Sequence, residues 1–163
     1  MATMADDHYE EARLRWAEAL PLLALGMIAG VSFLAQPAKF LTPELSLVQL
    51  VSVGSTLFGV SHAVQWGWLV LLAFVVPRAK SHKALAWALL VSFALTLGLQ
   101  QFGLMPPLEA RLVALKQGLQ AEPSLLHVAY IALETIKLAA LLGLSAMRRA
   151  APRWQIEMRG ALA

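Results

Sequence analysis

Cysteine is absent from the 163 residues, so the chain has no disulfide framework, no thiolate metal site and no cysteine nucleophile. Charge is scarce as well. Asp, Glu, Lys and Arg together reach 14%, against roughly 25% in a soluble domain. No stretch alternates with period two over about ten residues, as the strands of a membrane barrel must. Catalytic signatures are missing too: there is no His-Glu-x-x-His helix, no Gly-rich phosphate loop and no dinucleotide fingerprint. A b-type haem needs two histidines at comparable depth on facing helices, whereas His62 and His127 sit at different depths. No cofactor and no metal is therefore expected. What fills the chain is apolar: 59% of residues belong to the set AVILMFWYC, with a mean hydropathy of +0.65. That is more apolar surface than one small core hides. It points to an integral membrane protein and away from a soluble enzyme or a disordered segment.

A bilayer core of about 30 Å needs roughly 20 apolar residues of helix. Four stretches qualify, at about 17–36, 47–76, 84–102 and 125–147. Pro37, Pro77 and the pair Pro106 and Pro107 close the first three. Pro123 and Ser124 open the fourth, and Arg148 and Arg149 close it. The expected fold is an all-α four-transmembrane-helix bundle in a single domain. Residues 107–120 place Leu108, Leu112, Leu115 and Leu119 on one face, which predicts an interfacial helix or an extension of the third span.

Basic residues orient the bundle. Arg13, Arg15, Arg78, Lys80, Lys83, Arg148, Arg149, Arg153 and Arg159 all fall on one side of an even-spanning protein, leaving Lys39, Arg111 and Lys116 on the other. The positive-inside bias then puts both termini in the cytoplasm, in a bacterial cytoplasmic (inner) membrane or an equivalent one. Because these basic residues sit at membrane boundaries, nucleic acid is not an expected partner. Asp6, Asp7, Glu10 and Glu11 precede the first span where a signal peptide would carry basic residues, so cleavage is not expected. The tail from Arg148 to Arg159, with Trp154, reads as a basic segment at the cytoplasmic leaflet.

Ionisable residues at bilayer depth are costly, by roughly 2.5 kcal/mol or more each, so each requires an account. On the fourth span His127, Tyr130, Glu134 and Lys137 fall on one stripe, with Glu134 and Lys137 three apart and able to pair. The second span carries Ser52, Ser55, Gly59 and His62 at three- and four-residue steps, and the third carries Ser92, Thr96 and Gln100. These stripes are expected to face one another, with Leu, Val and Trp left for the lipid. The candidate site for a ligand or ion is Glu134, Lys137, His62, Tyr130, Ser55 and Thr96. The competing reading is a paired Glu–Lys bridge that fixes helix register. Gly26 and Gly30 form a Gly-xxx-Gly step that predicts close packing of the first helix. Lys39, just past Pro37, reads as a snorkelling anchor that could also gate an opening.

The stretch from Gly26 to Phe40, with Gly30, Ser32, Phe33, Pro37 and Lys39, is followed by Gly54 and Phe58 and later by a span opening at His127. In this layout the chain resembles the small four-helix membrane proteins of unknown function typified by transmembrane protein 205 and its bacterial relatives. The resemblance implies a four-helix fold and no particular activity; the Glu134 and Lys137 pair has no place in it. The functional expectation is a small membrane protein that binds or passes a small ligand or ion, or serves as an accessory subunit. Its partners would be the bilayer, the ligand, a membrane subunit or a second copy of the chain. The alternative is a small membrane enzyme on a lipid-soluble substrate, with Glu134 or His62 as acid or base.

Overall fold

A long apolar segment satisfies its backbone most simply by closing every hydrogen bond within itself, and all four stretches do so as helix. The computed structural model describes residues 4–79, 81–119 and 124–147. Helix α1 (Met4–Ala29) runs through a π turn (Gly30–Ala35) into the short α2 (Gln36–Ala38) and a 3-10 turn (Lys39–Leu41). Next come α3 (Leu47–Ala79) and α4 (Lys83–Gly98), a second π turn (Leu99–Leu104), α5 (Met105–Lys116) and α6 (Leu126–Ala146). Among the described residues there is no strand. Four helical stretches are long and apolar enough to cross a membrane: Glu11–Leu41, Leu47–Arg78, Lys83–Lys116 and Leu126–Ala146. Lys80, Pro123 and the basic tail beyond Met147 lie outside the described residues.

Local chemistry sets the helix ends. Ser46 and Gln49 form a reciprocal capping box on α3: the Ser46 N–H donates to Gln49 Oε1 at 2.8 Å, and the Gln49 N–H donates to Ser46 Oγ at 3.4 Å. Helix α5 ends at Gly118, whose φ of 79° only glycine adopts freely. There the Leu119 N–H reaches the Ala114 carbonyl and the Gly118 N–H that of Leu115, both at 3.1 Å, completing a Schellman motif. Ser124 Oγ accepts the Leu126 N–H at 3.1 Å, fulfilling the helix start expected there.

Short connections make neighbours antiparallel. Helix α1 packs on α3 and α6, and α4 packs on the same two, so the order around the bundle is α1, α3, α4, α6. The half nearer the termini is filled by Ile28, Leu72, Val76, Phe93, Leu97, Leu141 and Leu144, all fully buried. The bundle's outside is apolar too, with Leu22, Leu23, Val60, Val70, Phe74, Leu95 and Leu142 exposed. Among the described residues the buried charges are Glu134 and Lys137, while Val, Leu and Phe are presented outward.

Of the two readings of residues 107–120 the helix takes the second: it continues from α4 through the π turn into α5, which lies against α3. Two expectations need correction. Gly26 and Gly30 make no close contact: a Cβ at either would meet nothing within 4 Å. Close approach occurs instead at Gly143, where a Cβ would stand 3.2 Å from Leu89 Cδ1 of α4, and at Gly54. Trp66 and Trp68 do not simply face outward. Their N–H groups donate to Gln101 Oε1 at 2.6 Å and Met27 Sδ at 3.3 Å, which turns both rings along the bundle.

The glycine assignment predicts opposite outcomes at two sites. Gly143→Leu forces α4 and α6 apart and lowers the melting temperature in detergent by an amount corresponding to about 1–3 kcal/mol. Gly26→Leu leaves the melting curve in place. A thermal melt of both variants beside the parent measures the contrast.

Candidate functional site

On α6, Tyr130, Glu134 and Lys137 share the buried stripe that their spacing predicts, while Ile131, Thr135 and Ile136 between them are exposed. Glu134 is 1% exposed and Lys137 0%, and their charged atoms meet at 2.8 Å. Neither ion rests on the other alone. Glu134 Oε1 accepts from Ser32 Oγ at 2.6 Å, and Oε2 accepts from Gln100 Nε2 at 2.8 Å as well as from Lys137 Nζ. Lys137 Nζ also donates to Gln65 Oε1 at 2.5 Å, and Gln65 Nε2 donates to Ser61 Oγ at 2.9 Å. The result is an unbroken chain from Ser32 through Glu134, Lys137 and Gln65 to Ser61, drawing on three spans, with Gln100 of the third joining at Glu134. Beside it His62 Nε2 and the Tyr130 hydroxyl share a hydrogen bond of 2.9 Å, and the Phe58 ring lies 4.5 Å from that of Tyr130.

Desolvating two ions costs several kcal/mol each, and their attraction offsets this only when their remaining donors and acceptors are satisfied. Here they are. The expense appears elsewhere: both bonds from Gln100 use Nε2, one to Glu134 and one to the Tyr130 carbonyl at 3.1 Å, so its buried Oε1 is left without a partner. An orphaned buried acceptor costs about 1–3 kcal/mol, a measure of how firmly the amide is committed to the carboxylate.

Two of the three donors to Glu134 sit in π turns, Ser32 in Gly30–Ala35 and Gln100 in Leu99–Leu104. A π turn closes i→i+5 bonds, and the extra residue rotates everything beyond it by about 100° relative to an ideal helix. That rotation accounts for Ser32, whose inward face the sequence does not announce. In the sequence Ser32 stands out only within the stretch that carries the family resemblance; Ser61 and Gln65 lie in the regular α3, where the i, i+4 polar step between them beside His62 is the available signal.

Of the expected site residues, Glu134, Lys137, His62 and Tyr130 converge. Thr96 does not join them: its hydroxyl donates to the Ser92 and Phe93 carbonyls of its own helix, at 2.8 and 3.0 Å. Ser55 stands apart from the network on the wall of a cavity of about 500 Å³. Among the described residues no three His, Asp or Glu side chains gather to hold a metal.

This cavity lies at the end of the bundle away from the termini, between the π turn, α2 and 3-10 turn of the first span, α3, α5 and α6. Phe33, Phe40, Phe58, Leu108, Leu112 and Ile131 make its walls apolar, and Glu134 and Tyr130 are its most deeply buried polar residues. Phe33, Phe40 and Ile131 are also exposed on the flank, so the cavity reaches the bundle's apolar outside. His62, Gln65 and Lys137 are not part of its lining.

Removing either member of the ion pair leaves an uncompensated buried charge, and Glu134→Gln or Lys137→Met alone should lose about 3–5 kcal/mol of stability. The double variant should recover much of that loss. A thermal-melt cycle over the parent, both singles and the double tests the coupling; additive losses would mean that the two side chains act independently.

Compared with known protein families, curated proteins and solved structures, the chain matches none.

Proposed function

We propose that this chain is an integral membrane protein that holds a small amphiphilic ligand, with Glu134 at the base of its binding cavity. One observation carries the reading: an apolar cavity of about 500 Å³, within the usual range for ligand sites, opens on the apolar flank and ends on a buried carboxylate. The residues behind the resemblance to the transmembrane protein 205 group fall on this cavity, with Ser32, Phe33, Pro37, Lys39, Phe40, Gly54, Phe58 and His127 all in its lining.

Binding is better supported than passage. Beyond Lys137 and Gln65 the bundle is filled by Leu72, Phe93, Leu97 and Leu141, which leave no polar route toward the termini. Binding is also better supported than catalysis. His62 is held behind the cavity by Tyr130, and every oxygen of Glu134 already accepts a hydrogen bond. The charge asymmetry of the sequence supports a bundle with both termini cytoplasmic, in a bacterial inner membrane or its equivalent, its cavity toward the opposite leaflet.

Two measurements test this. Native mass spectrometry of gently extracted protein should find an amphiphile bound to the parent and absent from Ser55→Trp, which fills the cavity while leaving the ion pair intact. A variant that keeps its full complement of ligand overturns the assignment. For orientation, a periplasm-active reporter fused after Ala163 should be silent and one inserted at Gln117 active; the reverse pattern defeats the orientation.

A further inference from the structure

Lysines near the end of a spanning helix ordinarily turn outward toward water. Lys39 turns inward. Its Nζ donates to Gln36 Oε1 at 2.7 Å and lies against the Gly54 backbone, in the space a Cβ would take. Gln36 is 7% exposed and is fixed by its own bond, from Nε2 to the Gly54 carbonyl at 3.0 Å. The backbone at Gly54 thus serves as the seat of an ammonium, which lines the cavity on the side away from Glu134. An ammonium has three donors, and the bond to Gln36 uses one. Among the described residues no carboxylate pairs with Lys39.

The charge at the other end of the cavity is already balanced. Glu134 is met by Lys137 at 2.8 Å and by the neutral donors Ser32 and Gln100. The lining therefore holds one uncompensated charge, and it is positive. Ser55 and His127 add a hydroxyl and an imidazole to the same wall. A cationic amphiphile would meet a bare ammonium and then a carboxylate with no charge to spare. An anion would find a charge-assisted donor, roughly twice as strong as a neutral one.

Building on the ligand-holding reading above, we infer that the ligand is a lipid with an anionic phosphate or carboxylate headgroup, seated on Lys39 with its chain against Phe33, Phe58 and Leu108. A lipid is the source because the cavity is entered from the flank. Phe33 is 46% and Phe40 53% exposed there, beside the apolar outside of the bundle, where acyl chains would lie. The 5.0 Å contact of the ammonium with the Phe40 ring places the charge beside that entrance.

The test offers the full chain in detergent equal amounts of phosphatidylglycerol and phosphatidylcholine with identical chains and counts retained lipid by native mass spectrometry. The parent should prefer phosphatidylglycerol by about tenfold. Lys39→Arg should keep this preference. Lys39→Met should lose it while still retaining lipid. Lys116→Met, a change of charge outside the cavity, should behave as the parent, and excess inorganic phosphate should displace nothing. Equal retention of the two lipids by the parent overturns the headgroup assignment while leaving the ligand-holding reading intact. Displacement by inorganic phosphate overturns the lipid source. Loss of preference in Lys116→Met as large as that in Lys39→Met overturns the role of Lys39. If Lys39→Met does not fold, Ser55→Trp serves in its place: a preference that survives filling of the cavity locates the lipid elsewhere and overturns the inference. Failure of every variant, parent included, to retain either lipid defeats the ligand-holding reading itself.

Discussion

A carboxylate and an ammonium sealed from water are tolerable only when hydrogen bonds replace most of the water they lose, and much of this bundle's interior follows from supplying those bonds to Glu134 and Lys137. Helix α6 supplies both ions, but it cannot satisfy them alone. Ser32 must come from the first span, Gln65 from the second and Gln100 from the third. The pair consequently ties all four spans at one level. It does so across the diagonal as well, since α3 and α6 are not adjacent around the bundle and meet there through Gln65 with Lys137 and His62 with Tyr130. Apolar packing between lipid-facing helices has little solvophobic drive behind it, so directed polar contacts of this kind are well suited to fixing register.

The π turns belong to the same solution. In an unbroken α-helix the polar step from Ser92 through Thr96 to Gln100 would run along one face. Thr96 and Gln100 do both stay buried, but Thr96 bonds back to its own helix, and Gln100, one turn on in the π segment, reaches Glu134. The first span does likewise, with Ser32 in its π turn. Both wide turns lie on the far side of the ion pair from the termini, where the bundle also opens into its cavity. Irregular helix is thus confined to the half that carries the polar chemistry. The half near the termini is regular, dry and filled by branched and aromatic side chains.

Small residues matter where another group must come close. Gly143 admits Leu89 between α4 and α6, and Gly54 admits the Lys39 ammonium. Gly26 and Gly30, whose spacing matches a packing motif, touch no neighbour. Spacing shows which residues of a helix share a face, and it cannot show whether that face meets a helix, a cavity or lipid.

The four long apolar helices, the absence of strands among the described residues and the Glu134–Lys137 pairing were legible in the sequence, because each depends on local quantities: length of apolar run, missing alternation, and a separation of three residues on one helix. Helix caps such as Ser46 with Gln49 are local in the same way. Of the partners of the ion pair only Gln100 was legible, on a stripe expected to face the fourth span. Ser32 lies in a π turn, and no residue pattern announces a change of turn width; Gln65 sits in a regular helix, three residues past His62. The fate of Thr96, Ser55 and Lys39 was likewise decided only in three dimensions. A hydroxyl has a carbonyl of its own helix always within reach, and a lysine at a helix end can turn either way. For Lys39 the deciding facts were a glycine on the next helix, fifteen positions on, and a buried amide one turn back.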